Sequence, residues 1–203
     1  MIEKINNEIF LAINAFAGQN FWIDGFAIII AESLPVLFIG ALIYLWFGSK
    51  KNGKEAALYA GYSATVGVSI NLLITLLYFH PRPFMNGIGT ALINHAAETS
   101  FPSDHTTFAL SIATTLLLIE STRKLAILFV ALGVAGGISR VFCGIHYPLD
   151  ILGSLIVAII SSALIWSLKK KIVVVNEYII SKYVEIVGKK IATGFRERPN
   201  KEL

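Results

Sequence analysis

Phe101-Pro102-Ser103-Asp104-His105-Thr106-Thr107 leads directly into Phe108 to Ile119, a run with no charge before Glu120. A polar start and an apolar continuation are what a helix needs if it begins at an interface and then enters a membrane. Ser103 or Asp104 suits an N-cap, with polar side chains in the first turn. Residues 103–119 are therefore expected to form a membrane span with a polar end. Similar apolar runs over 25–47, 56–79, 125–143 and 149–168 predict four more. The expected fold is an all-α integral membrane protein, a helical bundle with five transmembrane spans.

Composition agrees. Of 203 residues, 55% are hydrophobic and 15% charged, whereas a soluble domain carries about a quarter charged residues. The mean hydropathy is +0.69. Length allows one compact bundle over 1–170, followed by a basic amphipathic helix and tail over 171–203. The last residues, 196–203, are expected to be disordered. Residues 5–17 have helical period, with Ile5, Ile9, Phe10, Ile13 and Phe16 opposite Asn6, Asn7, Glu8 and Asn14. About thirteen residues are too few to span, so an interfacial helix is expected there. Glu3, Lys4 and Glu8 argue against a cleavable signal peptide. Cys143 is the only cysteine, which excludes an intrachain disulfide.

Of the 17 lysines and arginines, all but Lys4, Arg82 and Arg140 follow spans one, three or five. The positive-inside rule places that majority in the cytoplasm and turns the 80–102 and 140–148 loops outward. Trp22, Trp46 and Trp166 fall at span ends, as interfacial anchors do. Gly133 and Gly137 form a small-xxx-small pair suited to close helix approach. Glu32 and Asn71 are polar groups at depth, explained either by one hydrogen bond to a neighbouring helix or by function.

The remaining polar chemistry is concentrated in the outward segments. Arg82 and Arg140 each flank a span end. Either alone suits a solvated or headgroup contact. Together they point to an anion site, because guanidinium is permanently charged and forks onto two oxygens. The start of the third span adds unpaired N–H groups to such a site, with Ser103, Asp104 and His105 in that first turn. His146 and Asp150 stand four apart where the fifth span begins, with Pro148 between them. At that spacing a carboxylate can hold one imidazole N–H and leave the other nitrogen bare. The same aspartate could simply complement the helix dipole. A metal site of His105, His146 and Asp150 is the other alternative, disfavoured by two adjacent arginines.

Arg82-Pro83, Pro102-Ser103-Asp104-His105 and Ser139-Arg140-x5-His146-x3-Asp150 resemble, in order, the three signatures of the type-2 phosphatidic-acid phosphatase superfamily, which also includes vanadium haloperoxidases. Within it, Tyr78-Phe79-x-Pro81-Arg82-Pro83-Phe84 and Phe101 to Thr107 are most similar to the bacterial undecaprenyl-diphosphate phosphatases linked to bacitracin resistance. The resemblance implies a six-helix core in which the N-terminal helix replaces the first span. It implies His146 as nucleophile, Asp150 as its orienter and His105 as the acid, with Arg82, Arg140 and Ser103 on the phosphate and a phosphohistidine intermediate. Two positions depart from the wider pattern: Thr75 stands where a lysine is usual, and Asp104 where glycine is usual. Both departures resemble the subgroup, and both residues are counted with the phosphate-binding set. Asp104 is expected to be paired with an arginine or kept protonated. The implied partners are a polyprenyl diphosphate and membrane lipids in a bacterial plasma membrane, with no nucleic acid, no cofactor and no metal. A broader phosphatase of phosphatidate or phosphatidylglycerol phosphate is the enzymatic alternative, and a lipid transporter or flippase the non-enzymatic one.

Overall fold

The computed structural model describes residues 1–49 and 51–196, with side chains placed through residue 187. The helices are α1 (Ile2–Asn14), α2 (Phe21–Gly48), α3 (Lys51–Leu77), α4 (Asp104–Leu117), α5 (Arg123–Phe142), α6 (Pro148–Ser167) and α7 (Lys169–Arg196). Short 3-10 turns lie at Pro83–Asn86 and Glu120–Thr122. Local chemistry sets the starts. Asn20 Oδ1 accepts from Trp22 N and Ile23 N at 3.0 and 3.2 Å to cap α2. Pro148 occupies the first position of α6, where its missing N–H costs nothing. The expected disorder of 196–203 concerns residues that lie, beyond Arg196, outside the described part.

α2, α3, α6 and the segment Glu120–Phe142 are long and apolar enough to cross a membrane. α4 is shorter than the expected span, at 14 residues, or about 21 Å. It has no need of bilayer length, because α2, α3, α5 and α6 all pack against it. Ala109, Ile112, Ala113 and Leu116 are fully buried there, and the Thr122 hydroxyl donates to Leu116 O at 2.8 Å where the helix ends.

Close approach to α4 depends on small residues and hydroxyls. A Cβ added at Gly133 would lie 2.7 Å from Leu110 Cδ2, and one at Gly137 would lie 2.6 Å from Ile151 Cγ2 and 3.2 Å from Thr106 Cγ2. The pair therefore marks a packing seam, as expected. On the other side, Ser63 Oγ lies 3.1 Å from both Ser161 Oγ and Ser162 Oγ. Ser111 Oγ lies 3.1 Å from Ser161 Oγ, and Thr115 Oγ1 lies 2.9 Å from Ser162 Oγ. Such hydroxyls find no water in a bilayer, so they pair across helices.

The N-terminal helix docks through a mixed stripe and not through the apolar face its pattern suggested. Asn6, Phe10 and Asn14 are buried, while Ile5, Ile9 and Phe16 are exposed. Asn14 Nδ2 donates to Phe142 O at 2.7 Å and Thr90 O at 2.9 Å. Asn6 Oδ1 accepts from Leu149 N at 3.0 Å. The asparagines supply the hydrogen bonds that loop ends lack; Phe10 packs with Val141 and Tyr147 beside them, and Ile5, Ile9 and Phe16 are left to face outward. α7 likewise packs on protein. Tyr62 Oη donates to the buried Asn176 Oδ1 at 3.1 Å, and the rings of Trp46 and Tyr183 lie 5.2 Å apart. This basic end, where Lys51 Nζ meets Glu177 Oε1 at 3.3 Å, is opposite the end that carries α1.

The seam predicts a contrast between two glycines. Gly137→Val overpacks α5 against α4 and α6 and is expected to destabilise by about 1–3 kcal/mol. Gly40→Ala, with nothing within 4 Å of its added Cβ, should leave the thermal unfolding midpoint in detergent unchanged. Equal midpoints for both variants would contradict the packing described.

Candidate active site

Three connections converge at the α1 end. The chain leaves α3 at Leu77, and Pro81 pairs with Thr99 in an isolated bridge that closes the long loop. Arg82 lies inside that closure. α5 ends at Phe142, and Gly144 turns the chain with φ +78°. That conformation favours glycine, and any Cβ there would collide with the Thr90 carbonyl. The turn brings His146 back within electrostatic reach of Arg140, and Pro148 then starts α6.

His146 is held at both ring nitrogens. Arg82 Nη1 lies 3.1 Å from Nε2, and Asp150 Oδ2 lies 3.3 Å from Nδ1. A guanidinium can only donate and a carboxylate can only accept. Nε2 is therefore the bare nitrogen and Nδ1 carries the proton. His146 is 2% exposed. Burial, reinforced by Arg140 and Arg82 and opposed by Asp150, pushes its pKa down to about 4. The ring is neutral at pH 7, with a lone pair on Nε2. Asp150 also accepts from Tyr147 N at 2.7 Å, so its first-turn role and its role on His146 coexist.

Both arginines are enclosed: Arg82 is 4% exposed and Arg140 is 1% exposed. Arg82 Nη1 also donates to Ile145 O at 2.9 Å, and Nη2 donates to Glu98 Oε1 at 3.3 Å. Arg140 Nη1 donates to Ala31 O at 3.0 Å and Glu32 Oε1 at 3.1 Å. The Nε atoms of both are buried without a protein partner. These are donors that an anion's oxygens can satisfy. Ser103 is fully buried at the start of α4, where no side chain caps the helix. The Ser154 hydroxyl reaches Ser103 O at 3.0 Å and Asp150 O at 2.8 Å, joining the starts of α4 and α6. His105 sits in the first turn of α4, partly exposed, within electrostatic reach of Arg140, Glu32, Asp104 and His95.

Two of the expected phosphate-binding residues are placed differently. Asp104 Oδ1 accepts from Asn71 Nδ2 at 2.8 Å and forms no ion pair with an arginine among the described residues. Asn71, which also donates to Thr107 Oγ1 at 3.0 Å, thereby finds its partner across the α3–α4 contact. Thr75 Oγ1 donates to Leu72 O at 2.9 Å on its own helix, turned back on α3. The site also includes Glu32, Glu98, Ser154 and His80, which sequence reasoning did not assign. For Glu32 the signal was an acid at depth. For His80 it was proximity to Arg82. Glu98 and Ser154 carried none. Among the described residues, no three His, Cys, Asp or Glu side chains converge in a way that could hold a metal ion.

Comparison with known proteins fits this geometry. The PAP2 superfamily model matches residues 56–173. The chain is 38% identical over 185 residues to undecaprenyl-diphosphatase BcrC of Bacillus subtilis, covering 91% of this chain and 95% of that protein. It is 32% identical to the putative undecaprenyl-diphosphatase YbjG of Escherichia coli, over 82% of this chain and 85% of that one. A protein of Bacillus licheniformis described as bacitracin transport permease protein BcrC is 26% identical, over 82% of each. Among solved structures, Aquifex aeolicus LpxE superposes with a TM-score of 0.66 over 79% of this chain and 93% of that one, at 22% identity. A transmembrane PAP2-type phosphatidylglycerolphosphate phosphatase of Bacillus subtilis gives 0.61 over 84% and 87%, also at 22% identity. The two structures share the all-helical fold described here.

The His146 environment is directly testable. In ¹⁵N-histidine-labelled protein, His146 should remain neutral, with the proton on Nδ1, as pH falls from 7 to 5. A midpoint near 6.5, or a proton on Nε2, would contradict the assignment.

Proposed function

This chain belongs to the PAP2 superfamily, and from that premise we propose that it is a membrane lipid phosphatase that hydrolyses undecaprenyl diphosphate to undecaprenyl phosphate and inorganic phosphate. The observation that carries the reading is the bracketing of one imidazole by Arg82 on Nε2 and Asp150 on Nδ1. Two relatives described as undecaprenyl-diphosphatases, one of them putative, support the choice of substrate.

The reaction proceeds in two displacements. Arg82, Arg140, Ser103 and the N–H groups opening α4 bind the terminal phosphate, with both Arg Nε donors taken up by its oxygens. Arg82 passes from Nε2 onto the phosphate, which frees the lone pair. Nε2 then attacks the terminal phosphorus as the anhydride P–O bond breaks. Asp150 stabilises the cationic ring through Nδ1. His105 gives a proton to the departing lipid phosphate. Water then attacks the phosphohistidine, releasing inorganic phosphate and restoring His146. The arginines and helix N–H groups stabilise the developing charge where a metal would otherwise act.

An outer-face site in the plasma membrane is supported by the charge pattern, since most of the described lysines and arginines lie toward the other end of the bundle. The polyprenyl tail lies along the lipid-facing helices while the diphosphate reaches the polar end. Transport is the alternative, suggested by the Bacillus licheniformis relative described as a transport permease. Phosphate release by purified protein separates the two readings.

Two outcomes follow. Loss of the acid in His105→Ala is expected to cost about 10²–10⁴-fold in turnover. An aryl phosphate with an acidic phenol should partly rescue this variant but not His146→Ala. Equal rescue of both would reverse or erase the assigned roles. For orientation, Asn94→Cys in a Cys143→Ser background should react with an impermeant thiol reagent in intact cells. Reaction only after lysis would place the site on the cytoplasmic face.

A further inference from the structure

Asp150 has a second histidine neighbour that the two displacements do not use. Its Oδ2 faces His146 and the Tyr147 N–H. Its Oδ1 is buried without a hydrogen-bond partner, and His80 Nδ1 stands 3.7 Å away. The loop holds His80 firmly. Its N–H donates to Thr99 Oγ1 at 3.1 Å, and its carbonyl accepts from Ser100 N at 2.8 Å. Its ring lies 5.2 Å from that of Tyr147 and is stacked 6.1 Å from that of Tyr78. Nδ1 is also 2.8 Å from Ser100 Oγ, and Nε2 is 3.2 Å from Glu3 Oε1 on α1. Glu3, His80, Asp150 and His146 thus form one line from the rim of the site to its bare nitrogen.

We propose that His80 is a positioning residue for phosphoryl transfer, an imidazolium held between Glu3 and Asp150 that keeps the Asp150 carboxylate turned toward His146. If His80 were neutral and accepting from Ser100, it would direct a lone pair at a buried carboxylate oxygen that has no other donor, a costly arrangement. With both nitrogens protonated, Nε2–H serves Glu3, and Nδ1–H points between Ser100 Oγ and Asp150 Oδ1. The groups facing the ring are Asp150 from α6, Tyr147 before it, Glu3 from α1 and Tyr78 after α3. Asp150 foremost, and Glu3 with it, raise the pKa of His80 above its ordinary value against the opposing effect of burial. The proton is therefore kept to higher pH than on a free imidazole and is lost as pH rises further. Support for Asp150 should weaken on the alkaline side, not the acidic one. The inference rests on the phosphatase reading for its kinetic test and on geometry alone for its spectroscopic one.

The kinetic test is a double-mutant cycle on the full-length protein in detergent, with undecaprenyl diphosphate as substrate. His80→Ala should lower kcat about tenfold and leave KM within about twofold, because orientation of the base is lost while the phosphate contacts remain. If His80 acts through Asp150, His80→Ala combined with Asp150→Asn should be no slower than Asp150→Asn alone, within about twofold. His80→Asn, with an amide near the Nδ1 position, should recover most of the turnover and abolish the alkaline fall seen in wild type. Multiplied losses in the double variant, unchanged kcat in His80→Ala, or an alkaline fall that survives in His80→Asn would each overturn the proposal. If His80→Ala does not fold, the pH profile of His80→Asn decides. Without any substrate, the ¹⁵N-histidine spectrum of His80→Ala should show a displaced His146 Nδ1–H signal that His80→Asn largely restores, and an unmoved signal in His80→Ala would also overturn it. A wild-type protein that releases no phosphate would count against the substrate reading, and this spectrum would still decide the role of His80.

Discussion

Two guanidiniums are enclosed in an apolar bundle within reach of a single imidazole, and the rest of the structure is arranged around that constraint. Taking a charge out of water costs several kcal/mol even after relaxation, so each arginine needs fixed partners. Backbone carbonyls of Ala31 and Ile145 serve from one side, and Glu32 and Glu98 reach in from the half-exposed rim. What remains is one buried donor on each arginine without a protein partner. A site made this way favours a multiply charged anion over a neutral or cationic ligand. The same enclosure keeps His146 neutral, so the proposed phosphate-binding groups and the proposed nucleophile depend on one desolvated environment.

That environment has to be assembled from distant parts of the chain, and the bundle does so with small side chains. Glycines on α5 and hydroxyls on α3, α4 and α6 let α4 be surrounded on all sides. The beginning of α4 is thereby held beside the beginning of α6, with Ser154 between them. α1 closes the same end through two asparagines and carries Glu3 to the rim. Helix packing in the middle of the bundle and hydrogen bonding at its end are thus successive requirements for one arrangement of Arg82, His146 and Asp150.

The helices were legible in the sequence because long apolar runs have few alternatives in a membrane. Arg82, His146 and Asp150 could be singled out in the sequence because their spacing resembles a known pattern, and the fold brings these three into hydrogen-bond contact. Less visible was anything decided by facing. The polar stripe of α1 read as its outer face, yet Asn6 and Asn14 are buried because loop carbonyls and N–H groups need them. α4 read as a full span, but a helix enclosed by others is not measured against lipid. Asp104 read as paired with an arginine or kept protonated, and its hydrogen bond comes from Asn71 on α3, which only the tertiary contact reveals. Glu98 gave no signal, since an exposed acid in a loop has many bland explanations.

The proposed mechanism requires His146 Nε2 to form a bond to phosphorus. Its most direct test is to mix the protein with undecaprenyl diphosphate carrying ³²P in the terminal phosphate and to quench within one turnover in alkali. The wild type should retain protein-bound label that is stable in base, released by acid, and located by peptide mapping to His146. His146→Ala should retain none. Label that persists in His146→Ala, or phosphate release by wild type with no protein-bound label at any quench time, would contradict the mechanism.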